Sequence, residues 1–112
     1  MPIIRGDKLR NFPEAAKIAG YGVARYKART NNPVEAHFHD GEELWMMVEG
    51  RIRGKLDGAE FELGPNEVLL TMPGQEHELV EVLEDSTIVW LEQNLQGRKR
   101  QGHLHRGIDE WP

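Results

Sequence analysis

The sequence predicts an all-β fold of jelly-roll type, and three observations predict it. Short apolar runs follow one another from Tyr21 onward. Gly, Pro, Asn and Asp interrupt them at the intervals typical of β-sandwiches and barrels. No helical periodicity of apolar residues runs between the interruptions. The runs cover residues 21–28, 34–39, 43–48, 51–56, 59–63, 68–72, 78–83 and 87–92, and roughly eight strands in a chain of this length suit a jelly roll. Asp57-Gly58 predicts a tight hairpin, because both residue types tolerate the positive φ of a type I′ turn. Gly50, Gly64-Pro65-Asn66 and Pro73-Gly74 mark further reversals.

Three segments follow from this pattern. Residues 1–20 are expected to form an N-terminal arm, with one or two helical turns after Pro13. Residues 21–92 form the barrel, and residues 93–112 a tail packing on or near it. The 112 residues match one domain. The runs 44–48 and 88–91 are apolar without alternation, as in strands buried on both faces. That predicts a homodimer packing sheet against sheet, or coverage by one of the arms.

Composition narrows the function. The formal net charge of -5 argues against nucleic acid, which needs a basic face. Arg98, Lys99, Arg100 and Arg106 form a local basic stretch, read as a solvated tail. The absence of cysteine removes disulfides, thiolate metal sites and cysteine nucleophiles, leaving histidine and carboxylate to do any chemistry. Charges interrupt the N-terminal apolar residues and no run is long enough to span a bilayer, so a cytoplasmic protein without membrane contact is expected.

The histidines are patterned. His37 and His39 stand at i and i+2, so in a strand both imidazoles project from one face while Phe38 projects from the other. Asp40-Gly41 offers a tight turn, after which Glu43 opens the next strand near the same spot. His77 follows Pro73-Gly74 on another hairpin. H-x-H alone also describes two surface histidines; the additional carboxylate and third imidazole make a ligand set suited to one divalent transition metal, Mn, Fe, Co, Ni, Cu or Zn. An octahedral ion held by four such ligands keeps two positions open for a small-molecule substrate.

The run His37 to Gly50 fits H-x-H-x3-E-x6-G, and Pro73 to His77 fits P-G-x-x-H. In these two motifs, residues 21–92 resemble the cupin superfamily. The resemblance implies a double-stranded β-helix in which His37, His39, Glu43 and His77 hold the metal inside the barrel. The chain departs from the pattern in placing Asn31 where the first motif usually has glycine, and Asn66, Met72 and Glu81 where the second often has Gly, Pro and Asn. Glu81 is the candidate catalytic acid or base, since the alternation His77, Leu79, Glu81 would turn it to the pocket.

Trp45 and Met47 share the parity of Glu43 and are expected in the core, as is Trp90, with Trp111 as a terminal anchor. Arg25 and Lys27 alternate with Tyr26, and the sequence does not decide which set faces inward. His103-Leu104-His105 repeats H-x-H without a following acid at the right spacing, and is read as a mobile segment over the pocket mouth. The implied function is a metal-binding enzyme acting on a small oxygen-rich substrate (a sugar, sugar acid or carboxylate) by isomerase, epimerase or lyase chemistry. An iron-dependent dioxygenase and a non-catalytic sugar or organic-acid binding module are the alternatives.

Overall fold

The computed structural model describes residues 18–93, 95 and 99–110. Most of the expected arm, its helical turns included, and Trp111 therefore lie outside the described residues. Six strands carry the chain: β1 (Ile18–Tyr26), β2 (Asn31–His37), β3 (Glu43–Leu56), β4 (Ala59–Leu63), β5 (Val68–Thr71) and β6 (His77–Gln93). All pairings are antiparallel, and no helix occurs among the described residues.

β3 and β6 are long enough to serve two layers. In one layer, the first half of β3 pairs with β5 and with the second half of β6, which in turn pairs with β1. In the other, the second half of β3 pairs with β4 and with the first half of β6, which pairs with β2. The layers share the two long strands, as a jelly-roll barrel requires. Four of the sequence runs thus merge into two continuous strands, because Gly50 and Ser86 bend the chain without ending its pairing.

At that bend Gly50 has φ +88. Ser86 Oγ accepts from Arg51 N at 3.1 Å and donates to the Glu84 carbonyl at 2.7 Å. A Cβ at Gly50 would strike Ser86 Oγ and the Asp85 carbonyl. Gly50→Ala is therefore expected to cost about 2 kcal/mol or more, from left-handed strain plus the clash. Chemical denaturation checks this, and a cost below about 0.5 kcal/mol would contradict the assigned role.

The turns follow their residue chemistry. Asp57 and Gly58 take φ 48 and 82, as a type I′ hairpin demands. Asn66 stands at φ 68, a conformation that asparagine tolerates in place of glycine. Near the first motif the left-handed residue is Asn32 (φ 48), whereas Asn31 pairs with Glu81.

Between the layers lie Trp45, Met47, Ile52, Leu63, Leu79, Val82 and Ile88, with Tyr26, Val34 and Trp90 packed against them. Trp45 and Met47 thus take the core positions that parity gave them. β1 resolves as well: Tyr26 is half-buried while Arg25 and Lys27 are exposed. The outer face is apolar. Val23, Val89, Met46 and Val68 stand in register across β1, β6, β3 and β5, yet Val23, Val48, Val68, Leu70 and Met72 are exposed. The unbroken apolar runs signal an outer apolar face that the described residues leave uncovered.

Candidate metal centre

Strand geometry brings the sequence-predicted quartet together. His37 ends β2 and pairs with His77 at the start of β6, while Glu43 opens β3. His37, His39, Glu43 and His77 are all buried, and one donor atom from each lies within 4.8 Å of the others. Donor atoms this close together can be gathered around one ion. Phe38, between the two histidines, points away and is fully buried.

Backbone carbonyls aim the imidazoles. His37 Nδ1 donates to the Glu35 carbonyl at 2.7 Å, His77 Nδ1 to that of Gln75 at 3.0 Å, and His39 Nδ1 to that of Gly102 at 3.0 Å. A carbonyl can only accept, so each neutral ring carries its proton on Nδ1 and turns an Nε2 lone pair to the centre. Glu43 is steered by Trp45, whose Nε1 donates to Oε1 at 2.9 Å. The same oxygen lies 3.1 Å from His77 Nε2 and 3.5 Å from His39 Nε2.

Lone pairs converging on a carboxylate call for a positive charge among them. His39 Nε2 is buried without a hydrogen-bond partner among the described residues, the signature of a donor atom awaiting an ion. Burial disfavours the charged form of His39, but the Glu43 carboxylate outweighs it and raises its pKa above 6.5. Burial works the other way on Glu43, yet His39 and His77 hold its carboxyl well below the ordinary range. His37 is pushed down to about 3 by burial, which outweighs its backbone bond to Glu35, with the neighbouring imidazoles adding to the drop. The neutral, lone-pair-bearing form of His37 thus persists across the physiological range. The donor set fits one divalent transition metal.

Glu81 does not join the quartet. Gly54 pairs with Leu79 while the preceding Arg53 pairs with Glu81, so β6 carries an extra residue. This bulge reverses the parity: Leu79 and Val82 are buried, and Glu81 is turned to Arg53, whose Nη2 donates to Oε1 at 3.0 Å. Glu81 is also absent from the cleft wall.

That cleft, of about 990 Å³, opens over the quartet and is lined in part by Tyr26, Trp90, Glu92, Arg100 and His103. Burial raises the Tyr26 pKa. Sequence reasoning missed Glu92 and read Arg100, here on the cleft wall and paired with Asp40, as part of a solvated tail. Glu92 shares the inward parity of Ile88 and Trp90, a signal that was readable. His103 lies in the segment expected over the pocket mouth, and tertiary packing sets its distance from the barrel histidines.

The segment that carries His103 is strapped onto the barrel. Leu104 pairs with Phe38 through Leu104 N to the Phe38 carbonyl (3.0 Å) and Phe38 N to the Leu104 carbonyl (2.8 Å). Asp40 accepts from Arg100 N and Nε, both at 2.9 Å, and from Nη2 at 3.2 Å. These bonds hold its carboxyl below the ordinary value. His105 Nδ1 donates to the Ala36 carbonyl at 3.1 Å. The expected mobile flap is thus an anchored strap.

A Cupin domain family model matches residues 25–93. An uncharacterized protein of Sinorhizobium fredii, y4oW, is 34% identical over 101 residues, which are 90% of this chain but only 39% of that protein. Among solved structures, the DMSP lyase DddQ of Ruegeria pomeroyi superposes with TM-score 0.64 at 16% identity, covering 82% of this chain and 45% of that one. A predicted oxalate decarboxylase of Thermotoga maritima gives TM-score 0.63 at 18% identity, covering 73% and 71%. Matched by that model over most of its barrel, the chain belongs to the cupin domain family.

Proposed function

We propose that His37, His39, Glu43 and His77 hold one divalent transition metal (Mn, Fe, Co, Ni, Cu or Zn), and that the site is an enzyme centre for a small oxygen-rich substrate such as a sugar, sugar acid or carboxylate. The observation that carries this reading is the set of imidazoles locked by backbone carbonyls with Nε2 facing a buried carboxylate, one of those nitrogens making no hydrogen bond and lying 3.5 Å from that carboxylate. Three neutral imidazoles and one carboxylate leave a bound divalent ion with net positive charge, which favours chelating anions. The metal supplies Lewis-acid polarisation of a substrate carbonyl or carboxylate oxygen. Isomerase, epimerase or lyase chemistry also needs a group that moves a proton. Tyr26 and Glu92, on the cleft wall, are better placed for that than Glu81 in its ion pair with Arg53.

Elemental analysis of protein purified under nitrogen, followed by an anaerobic screen of sugar acids, hydroxy-acids and other carboxylates, tests the proposal. One transition metal per chain and oxygen-independent turnover are expected; protein that takes up no transition metal sinks the reading. Metal uptake must expel the His39 proton, whose pKa is raised above 6.5. Affinity is therefore expected to climb about tenfold per pH unit below that pKa and to level off above it. A pH-independent affinity between 6 and 8 would contradict the role of His39.

The protein is further proposed to be a cytoplasmic homodimer whose second copy covers the exposed row of Val23, Val48, Val68 and Leu70. No helix among the described residues is long and apolar enough to cross a membrane. Sedimentation equilibrium should give twice the chain mass, and Val68→Lys should halve it. A wild-type monomer at micromolar concentration contradicts the dimer.

A further inference from the structure

Beside the quartet stands a fourth imidazole that the barrel does not own. His103 lies beyond residues 25–93, the span matched by the family model, and reaches the site only because the strap returns across the β2 end of the barrel. Its ring centroid is 4.4 Å from that of His37 and 5.3 Å from that of His39. One donor atom each from His103, His39 and Glu92 also falls within 4.8 Å of the others. The neighbouring anchors leave the strap little freedom to be elsewhere. Leu104 is in register with Phe38, the residue between the two barrel histidines, and Arg100 grips Asp40, the residue after them.

The two strap histidines are used differently. His105 spends Nδ1 on the Ala36 carbonyl, whereas His103 lines the cleft against the metal-facing imidazoles. His39 cannot bridge two ions without losing the Nδ1 proton that Gly102 holds, so a separate second metal on His39, Glu92 and His103 is disfavoured. The His103 donor groups with His39 and Glu92 rather than with all four barrel ligands, so sharing their ion would draw the strap inward, to one of the positions that four ligands leave open on a six-coordinate ion.

We infer that His103 is a fifth protein ligand, delivered by the C-terminal strap, so that the bound metal pins the strap across the mouth of the cleft. This rests on the metal reading above and extends it. One open position then remains on a six-coordinate ion for a monodentate substrate, and a chelating substrate must displace His103. Gly102 has a related part, since its carbonyl fixes His39 from the same strap.

The test uses the full chain with Co(II) alone as the probe. Affinity is measured by chelator competition, and amide hydrogen exchange over residues 99–110 is followed with and without metal, in wild type, His103→Ala and His103→Gln. Wild type is expected to bind Co(II) about tenfold more tightly than either variant, and to slow strap exchange on binding. In both variants the metal should still bind but leave strap exchange unchanged. His103→Gln keeps bulk at the position, separating lost ligation from lost packing. Unchanged Co(II) affinity in His103→Gln overturns the strap ligand and leaves the barrel site standing. A wild type that binds no Co(II) overturns the metal reading and the strap ligand together.

Discussion

His77→Ala is expected to abolish tight metal binding while leaving a folded barrel, with affinity falling at least about 100-fold. His77 is 1% exposed, its Nδ1 is fixed by Gln75, and its Nε2 faces the Glu43 carboxylate at 3.1 Å. His37, His39 and Trp45 pack around the ring. The clearest readout is thermal. A metal present at one hundred times its dissociation constant stabilises a folded protein by about 2.7 kcal/mol, which for a domain of this size raises Tm on the order of 10 °C. At the same metal concentration, a 100-fold weaker site gains only about 0.4 kcal/mol. Calorimetry of wild type and variant, each with and without metal, separates this loss from any change in the metal-free fold. If the metal raises Tm equally in both, the quartet is not the site.

Much of this arrangement was legible in the sequence, and the legible part was the part that local geometry dictates. His37 and His39 share a face because a strand has a period of two, and their ring centroids lie 4.8 Å apart. The jelly-roll expectation came from the spacing of apolar runs and turns, and the Asp57-Gly58 hairpin follows from which residues tolerate positive φ. What escaped depends on one inserted residue or on distant packing. The bulge before Val82 reverses the parity of Glu81, and period-two reasoning fails wherever a strand takes an extra residue. The continuity of β3 through Gly50 was hidden because glycine marks a bend and a break alike. The strap was hidden for a different reason: its anchors, Arg100 to Asp40 and Leu104 to Phe38, join residues at least sixty positions apart. Nothing local to His103-Leu104-His105 reports such partners.

Phe38→Ala is expected to be among the most damaging single core substitutions, costing about 3–5 kcal/mol. Phe38 is fully buried, yet it does not belong to the cluster between the two layers. It projects from the opposite side of the strand to His37 and His39, and the strap closes over it. Leu104, 6% exposed, pairs with it along the backbone. The guanidinium carbons of Arg106 and Arg100 sit 4.8 Å and 5.9 Å from its ring centre, within cation–π range. Truncation therefore leaves a cavity and also removes the surface that holds the strap. Domains of this kind are stable by only about 5–15 kcal/mol, so the loss takes a large fraction of the total and lowers Tm by more than about 10 °C. Phe38→Leu, which keeps most of the volume, should cost roughly 1–2 kcal/mol. Denaturant titration gives the stabilities. Hydrogen exchange gives the second signature, faster exchange over residues 99–110 than over β3 in the alanine variant. A cost under about 1 kcal/mol, or an increase in exchange spread evenly over barrel and strap, would show that the strap is held independently of Phe38. The predicted pattern would instead make one side chain the joint between the strand that presents His37 and His39 and the segment that covers them.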